Sequence, residues 1–150
     1  MALLFANNNS LSAITTKPSG LSGGALNLIS TQTASSSSTI SFTSGIDDTY
    51  DEYVFKFYDI HPATNNVQFS FNGSVDGGSN YNVTKTTTNF GAYHFEDDSA
   101  AALGYESGKD LAQSTDFQKL SSQSTGNAND EANAGTLHLF NPSSTVFVKH

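Results

Sequence analysis

The chain has 150 residues, the size of one ordinary domain, so a single core is expected and a second substrate domain is excluded. It contains 22 Ser, 16 Thr, 14 Asn and 12 Gly, but only 6 Lys and 14 acidic residues. Ser, Thr and Asn compete with the helical backbone for hydrogen bonds, so this composition excludes an all-α protein. Apolar residues make up 36%, including 11 Phe and 6 Tyr, which argues against disorder throughout.

The formal charge of −8 excludes two classes of partner. Nucleic acid and anionic membranes attract cationic surfaces, and all six basic residues are isolated lysines. The absence of cysteine excludes thiol catalysis, thiolate metal sites and disulfides. No apolar run is long enough to span a bilayer, and the first residues lack the pattern of a signal peptide. We therefore expect no nucleic-acid partner, no membrane insertion and no cofactor.

Residues 1–25 are predicted to form an extended N-terminal arm. Asn, Ser, Gly and Pro interrupt every short apolar patch, so no regular period is sustained. Apolar side chains on a free arm reduce solubility, which indicates that they dock on another surface. The predicted anchor residues are Leu3, Leu4, Phe5, Leu11 and Ile14. A disordered tail is the alternative.

From Leu26 onward, apolar and polar residues alternate, which predicts strands with one buried face. About eight short strands are expected, at 26–31, 38–43, 52–60, 67–71, 81–84, 90–95, 136–140 and 145–148. The segment 52–60 is apolar on both faces and favours a central strand. The fold class predicted for 26–150 is therefore all-β, as an antiparallel β-sandwich or jelly roll.

The region 96–133 departs from this pattern. Ala100–Leu103 is its best candidate for a short helix, and 121–133 is expected to be a loop. No turn residues follow the last expected strand, so the natural polypeptide is expected to continue past His150.

Residues that could carry chemistry are few. Gly20–Gly24 has the G-x-S-x-G spelling of a hydrolase elbow, but no strand or helix pattern flanks it. The four histidines lack the spacing of zinc ligands, and His138 is expected on the exposed face of a strand. Acidic residues that could bind Ca²⁺ or hydrolyse glycosides cluster at 47–48, 51–52, 96–98 and 130–131, but acidic turn residues beside strands are usually only solvated. We expect no catalytic residue and no metal site, with calcium left open.

One local motif is more specific. Residues Ser74–Tyr81 fit S-x-D-x-G-x-x-aromatic, which is similar to the Asp-box hairpin of sialidases and other carbohydrate-active β-proteins. In this motif Asp76 caps the turn, Gly78 adopts positive φ and Tyr81 packs back on the hairpin. The box is structural in those families, so the motif predicts a hairpin between 67–73 and 81–86.

Longer stretches resemble a family of virion structural proteins from tailed phages, especially marine and cyanobacterial ones. The matching segments are Leu28–Asp47, Thr49–Phe55, Ile60–Thr64, Asp76–Tyr81, Gly104–Tyr105, Asp110–Ala112 and Leu137–Pro142. The resemblance covers most of 26–150 and implies a location in the virion, after assembly in the host cytoplasm. It leaves tail fibre and capsid decoration as alternatives and supplies no catalytic residues.

The resulting expectation is a non-enzymatic structural protein, with 1–25 anchored to other virion proteins and 26–150 projecting outward. A homo-oligomer is expected, with a trimer as the family-level guess, because copies would cover exposed strand edges. Contact with a host surface glycan is a further expectation. The alternative is a carbohydrate-binding β-module in which exposed aromatic residues such as Tyr81, Tyr93 or Tyr105 stack on sugar rings. A glycan-degrading enzyme is a third and weaker alternative.

Overall fold

The computed structural model describes residues 26–121 and 123–145. The chain divides into two units between Thr31 and Gln32. In the first unit, the described residues 26–31 form no strand. All strands found in the described residues lie in the second unit: β1 (Glu52–Ile60), β2 (Ser70–Phe71), β3 (Lys85–Thr87), β4 (Phe90–His94), β5 (Ala101–Tyr105), β6 (Leu111–Ser114), β7 (Gln118–Lys119) and β8 (Asn133–Phe140).

These strands pair in a nested order. β1 pairs with β8, β2 with β7, β3 with β6 and β4 with β5, and each pair is an antiparallel sheet of two strands. An isolated bridge between Val67 and Thr125 lies between the first and second pairs. Within this unit, β1 to β4 form an outgoing segment, and β5 to β8 form a returning segment that pairs with it strand by strand.

The prediction of an all-β, antiparallel fold is confirmed, and the described residues contain no helix. A jelly roll pairs eight strands in the same nested order, but it stacks them as two sheets. Here the four pairs are four separate two-stranded sheets. The sandwich or jelly roll therefore stays a prediction.

The first two expected strands are absent. Every residue from 26 to 45 is exposed, and none of them belongs to a strand. Alternation stabilises a strand only where one face is covered and the backbone finds a partner strand. In this segment a polar side chain bonds to the backbone instead: Gln32 Nε2 donates to the Ser41 carbonyl at 2.7 Å.

The expected helix at Ala100–Leu103 is wrong, because this segment lies largely within β5. Pairing with β4 overrides the helical preference of alanine. The expected strand at 81–84 is displaced to β3 at 85–87. The sequence pattern also missed β6 and β7, which are short and largely polar.

Strand β1 is longer than any other and holds the buried aromatic residue of this unit. Among the described residues it pairs only with β8, so it is not the central strand that the sequence predicted. Tyr53 is 3% exposed and is the one hydrophobic side chain that is buried among the described residues. Its hydroxyl donates to the Asp47 carboxylate at 3.0 Å and accepts from the Asp47 backbone N–H at 3.1 Å. Tyr53 thereby fixes the loop that precedes β1.

A polar side chain occupies the position where an apolar core residue is usual. Gln118 is 6% exposed, and its amide group donates to the carbonyls of Lys109 at 3.1 Å and Lys119 at 2.8 Å. Its side-chain oxygen accepts from the Thr87 hydroxyl. That hydroxyl also accepts from the Leu111 backbone N–H at 2.9 Å. Gln118 therefore joins β3, the start of β6 and β7.

Asn72 has a similar role next to β2. Its amide nitrogen donates to the carbonyls of Tyr81 at 2.8 Å and Thr115 at 2.9 Å. Its oxygen accepts from the Gly73 backbone at 2.9 Å and from Lys85 Nζ at 2.5 Å. These bonds engage both ends of the amide, so Asn72 ties the outgoing and returning segments of the chain together.

We expect Gln118→Ala to lower the free energy of unfolding by about 1–3 kcal/mol, because it leaves buried backbone carbonyls without a donor. Urea unfolding of the full chain at fixed protein concentration measures this loss. Gln32→Ala is the matched control, since it removes one exposed hydrogen bond and should cost less than about 0.5 kcal/mol. Equal losses in the two variants would contradict the role assigned to Gln118.

Candidate functional site

The residues that the sequence assigns to an anchor cannot be placed in this structure. Leu3, Leu4, Phe5, Leu11 and Ile14 lie outside the described residues. Of the expected strand 145–148, only Thr145 is described. The anchor and the last strand therefore stay predictions.

The Asp-box motif forms a turn built on one carboxylate. Asp76 Oδ1 accepts from the Ser74 hydroxyl at 2.6 Å and from the Asn80 backbone N–H at 2.9 Å, while Oδ2 accepts from Asn80 Nδ2 at 2.6 Å. The Ser74 hydroxyl oxygen also accepts from the Gly78 N–H at 2.9 Å. One acidic side chain therefore organises both ends of the turn.

Gly78 is required at its position for two reasons. Its φ of +90° lies in the region that side chains rarely adopt. A Cβ on Gly78 would lie 2.6 Å from Thr43 Cγ2 and 3.0 Å from Tyr81 Oη. Tyr81 therefore packs back over the turn, as the motif predicted.

The strands that flank this turn do not pair with each other as the predicted hairpin requires. β2 pairs with β7 and β3 with β6, and the two sides of the turn share one backbone hydrogen bond, from Val83 N to Gly73 O at 3.4 Å. The nested pairing supplies each flanking strand with a partner from the returning segment. The motif therefore connects two successive strand pairs, and it is structural.

Two of the tyrosines proposed as ligand contacts lie on opposite faces of the β4–β5 hairpin. Tyr93 is opposite Ala102, and Tyr105 is opposite Phe90, so the alternation of side chains separates them. Tyr105 packs edge-on to Phe90 at 5.5 Å between ring centroids. Its hydroxyl donates to the Asp110 carboxylate, and this bond raises the pKa of Tyr105. Tyr93 and Tyr105 therefore cannot bind one sugar ring together.

A cleft that sequence analysis did not assemble lies between β1, β8 and the loop before β8. Its volume is about 580 Å³. Phe57 and Phe69 line one part of it, with ring centroids 4.9 Å apart. Asp130, Glu131 and Asn133 also line the cleft. Aromatic and polar groups thus meet in one concave surface, as in many ligand sites.

The wall of the cleft is fixed by two glycines. A Cβ on Gly135 would lie 2.6 Å from Phe57 Cζ, so the aromatic ring lies directly over the strand backbone. A Cβ on Gly126 would collide with the Glu131 carboxylate. That carboxylate accepts from the Ala128 backbone N–H at 2.9 Å. Glu131 therefore holds the loop.

The loop is also tied to the outgoing chain. Thr125 exchanges two backbone hydrogen bonds with Val67, at 2.7 and 3.1 Å. The Thr125 hydroxyl accepts from Asn133 Nδ2 at 2.7 Å. The sequence contained a signal for this site in the acidic pair 130–131, but the aromatic residues reach it only through the nested pairing.

Three histidines form isolated pairs with carboxylates. His61 bonds to Asp59 at 2.7 Å, His94 to Asp98 at 2.9 Å and His138 to Glu52 at 2.5 Å. His138 is exposed on β8, so its predicted position is confirmed. In the described part of the chain, no group of three or more metal-ligating side chains comes together, and no helix could cross a membrane.

The comparisons with known proteins returned no match: no protein-family model, no curated protein and no solved structure is similar to this chain. The assignment of a function therefore depends on the chemistry of the residues described above and on the resemblance found in the sequence.

The Asp76 turn predicts a specific response to acid. Hydrogen bonds from the Ser74 hydroxyl and then from the Asn80 side chain and backbone lower the pKa of Asp76 from 3.8 to about 2. Because the folded-state pKa is depressed, the carboxylate stabilises the turn above pH 3.8, and that stabilisation is lost as the pH falls to about 2. The amide signals of Gly78 and Asn80 should titrate with a midpoint near pH 2.

In Asp76→Asn this transition should disappear, and in Asp48→Asn, which removes an equal charge outside the turn, it should remain. Persistence of the transition in Asp76→Asn would show that another group controls the turn. Two-dimensional NMR between pH 1.5 and 6 makes the comparison.

Proposed function

We propose that this chain is a non-enzymatic structural protein of a bacteriophage virion, either a tail fibre or a capsid decoration. Residues 1–25 anchor it to other virion proteins, and the β-domain projects outward and takes part in host attachment. The chain is synthesised and assembled in the host cytoplasm and leaves the cell within the particle.

One observation carries the structural part of this proposal. Among the described residues, fifteen large hydrophobic side chains are exposed, and a single one is buried. A monomeric soluble domain usually buries most of such side chains and exposes few in contiguous patches. Exposure on this scale favours a protein whose surfaces are covered by other chains in an assembly, which is the condition of a virion component.

The polar interior also suits this role. Gln118 and Asn72 hold the strands through hydrogen bonds to several backbone segments at once. Such bonds require neither disulfides nor metal, so the fold does not depend on the redox state of its surroundings. A net charge of −8 keeps the outer surface soluble outside the cell. These properties support a particle component more than an enzyme, which would need a defined acid–base or nucleophilic group.

The anchor is tested in the full chain by replacing Leu3, Leu4 and Phe5 with Ser. We expect incorporation into particles to fall at least tenfold while the circular dichroism spectrum is unchanged, because these apolar side chains supply the docking area. Quantitative immunoblotting of purified virions measures the incorporation. Leu28→Ser is the matched control, since Leu28 is also exposed but lies outside the arm.

Full occupancy of the triple variant on particles would refute the anchor. Absence of the unaltered chain from purified virions would refute the virion location itself. The two results are therefore distinguishable within one series of samples.

The cleft favours carbohydrate binding as a second function. Aromatic rings such as Phe69 can contact the apolar face of a sugar, and a carboxylate such as Asp130 can accept hydrogen bonds from its hydroxyls. Such a site suits recognition of a host surface glycan by a virion appendage. The same site would also serve a carbohydrate-binding module that is not part of a virion.

If the cleft binds a glycan, the full chain should retain specific ligands on a glycan array. Asp130→Asn and Phe69→Ala should each weaken that binding at least tenfold, because each removes a different kind of contact. Asp48→Asn is the control and should bind as the unaltered chain does. Binding that survives both cleft substitutions would place the ligand elsewhere.

A further inference from the structure

We propose that copies of this chain join through the β4–β5 hairpin, closing several hairpins into one intermolecular β-barrel. Phe90, Ala92, Leu103 and Tyr105 would line its interior. The inference deepens the assembly included in the proposed function, because it names the surface by which copies recognise each other. It does not depend on the location in the virion.

The first observation is an exposed apolar face. Phe90 pairs with Tyr105, Ala92 with Leu103 and His94 with Ala101, so all six side chains point to the same side of the hairpin, with the one imidazole at its tip. Phe90 is 71% exposed, Leu103 81% and Tyr105 50%. All five residues of β5 are exposed. On the opposite side, Gly91 is buried and Tyr93 is half-buried, so the two faces differ in how the rest of the chain covers them.

The second observation is a pair of open strand edges. Phe95 N donates to Ala100 O at 2.8 Å, and Glu106 N donates to Asn89 O at 2.8 Å. Hydrogen-bonded pairs alternate with non-hydrogen-bonded pairs in an antiparallel ladder. The residues 90, 92 and 94 on β4, and 101, 103 and 105 on β5, therefore direct their backbone groups outward. Neither strand has a second partner among the described residues.

These edges lack the usual protection against pairing. Neither β4 nor β5 contains Lys, Asp, Glu or Pro, and the five residues of β5 are Ala-Ala-Leu-Gly-Tyr. Natural proteins guard an open edge with charged residues, proline or a covering segment, and an unguarded edge pairs with another strand. A two-stranded hairpin is also only marginally stable by itself.

The open edges identify the occupant as a second copy, because the β5 edge of one copy supplies the partner strand that the β4 edge of the next one lacks. Two chains of charge −8 repel each other over most of their surfaces. The strands β4 and β5 carry no carboxylate, so they form a region where identical chains can approach closely. The exposed side chains of this face would contribute on the order of 400 Å² per copy, about half of one partner's share in a standard interface. The strand edges add area to this.

A closed ring is the arrangement that satisfies both observations. Two-fold pairing through β5 alone would leave the β4 edge of each copy open. When the β4 edge of one copy meets the β5 edge of the next, every edge finds a partner, and all neighbouring strands are antiparallel. Closure of such a ring removes its edges and turns one face inward. Three copies would supply six strands and four copies eight, an interior that side chains can fill.

The first test measures the mass of the full chain in solution by native mass spectrometry at micromolar concentration. A closed oligomer of three or more copies is expected. Leu103→Lys places a charge on the inward face at the β5 edge and should lower the fraction assembled at least tenfold. Val75→Lys is the matched control, because Val75 is 88% exposed and lies outside the hairpin, and it should assemble normally. Monomers or dimers of the unaltered chain, or normal assembly of Leu103→Lys, would overturn the proposal.

A second test does not depend on the folding of a charged variant. The chain has no cysteine, so single cysteines report contacts cleanly. Ala92→Cys chains mixed with Leu103→Cys chains should cross-link with each other on oxidation, and far more than either variant cross-links with itself. Cross-linking of Leu103→Cys only with itself, or no more cross-linking than with Val75→Cys, would overturn the ring. Because no particle is involved, failure here leaves the virion proposal standing.

Discussion

The nested antiparallel pairing is the constraint on which the other features of this structure depend. Pairing of β1 with β8 joins segments about eighty residues apart in the sequence. The strands of the other three pairs lie between β1 and β8 along the chain. The pairs do not continue one uniform ladder, since irregular registers occur between Phe57 and Ile60 and between Lys85 and Thr87. Each interruption leaves backbone groups that side chains or turns must satisfy. The cleft lies beside the first of these interruptions.

The cleft illustrates this dependence. The ladder of β1 and β8 is irregular after Phe57, and the outgoing and returning segments pair again at the bridge between Val67 and Thr125. Between these two points, the outgoing segment contributes aromatic residues and the returning segment contributes acidic and amide residues. The concave surface therefore results from the gap between these two pairings. Its wall is formed where Phe57 covers Gly135.

The sequence predicts those parts of the fold in which local pattern and tertiary pairing agree. Alternating Phe, Tyr and Val residues identify β1, and the Asp76 motif identifies its turn, because each depends on neighbours in the chain. The local pattern of Ala100–Leu103 has no alternation and predicts a helix, whereas pairing with β4 makes this segment a strand. The cleft was missed for the same reason, since Phe57 and Asp130 are brought together by pairing and not by spacing. A register of this kind is not encoded in any short window of the chain.

Acidic residues lie at both ends of the β4–β5 hairpin and restrict the register in which copies can pair. Glu96, Asp97 and Asp98 lie at its tip, where hydrogen bonds from the Ser99 hydroxyl and N–H lower the pKa of Asp97. At the other end, Glu106 pairs with Lys109 at 3.1 Å, and Asp110 accepts from Tyr105. The neutral strands are thus bounded by acidic groups at both ends. Copies that pair in register keep these groups at the solvent-exposed ends of the strands. A slipped register would bring them against apolar side chains at a cost in desolvation. The acidic groups at the two ends of the hairpin therefore favour in-register pairing of copies over slipped pairing.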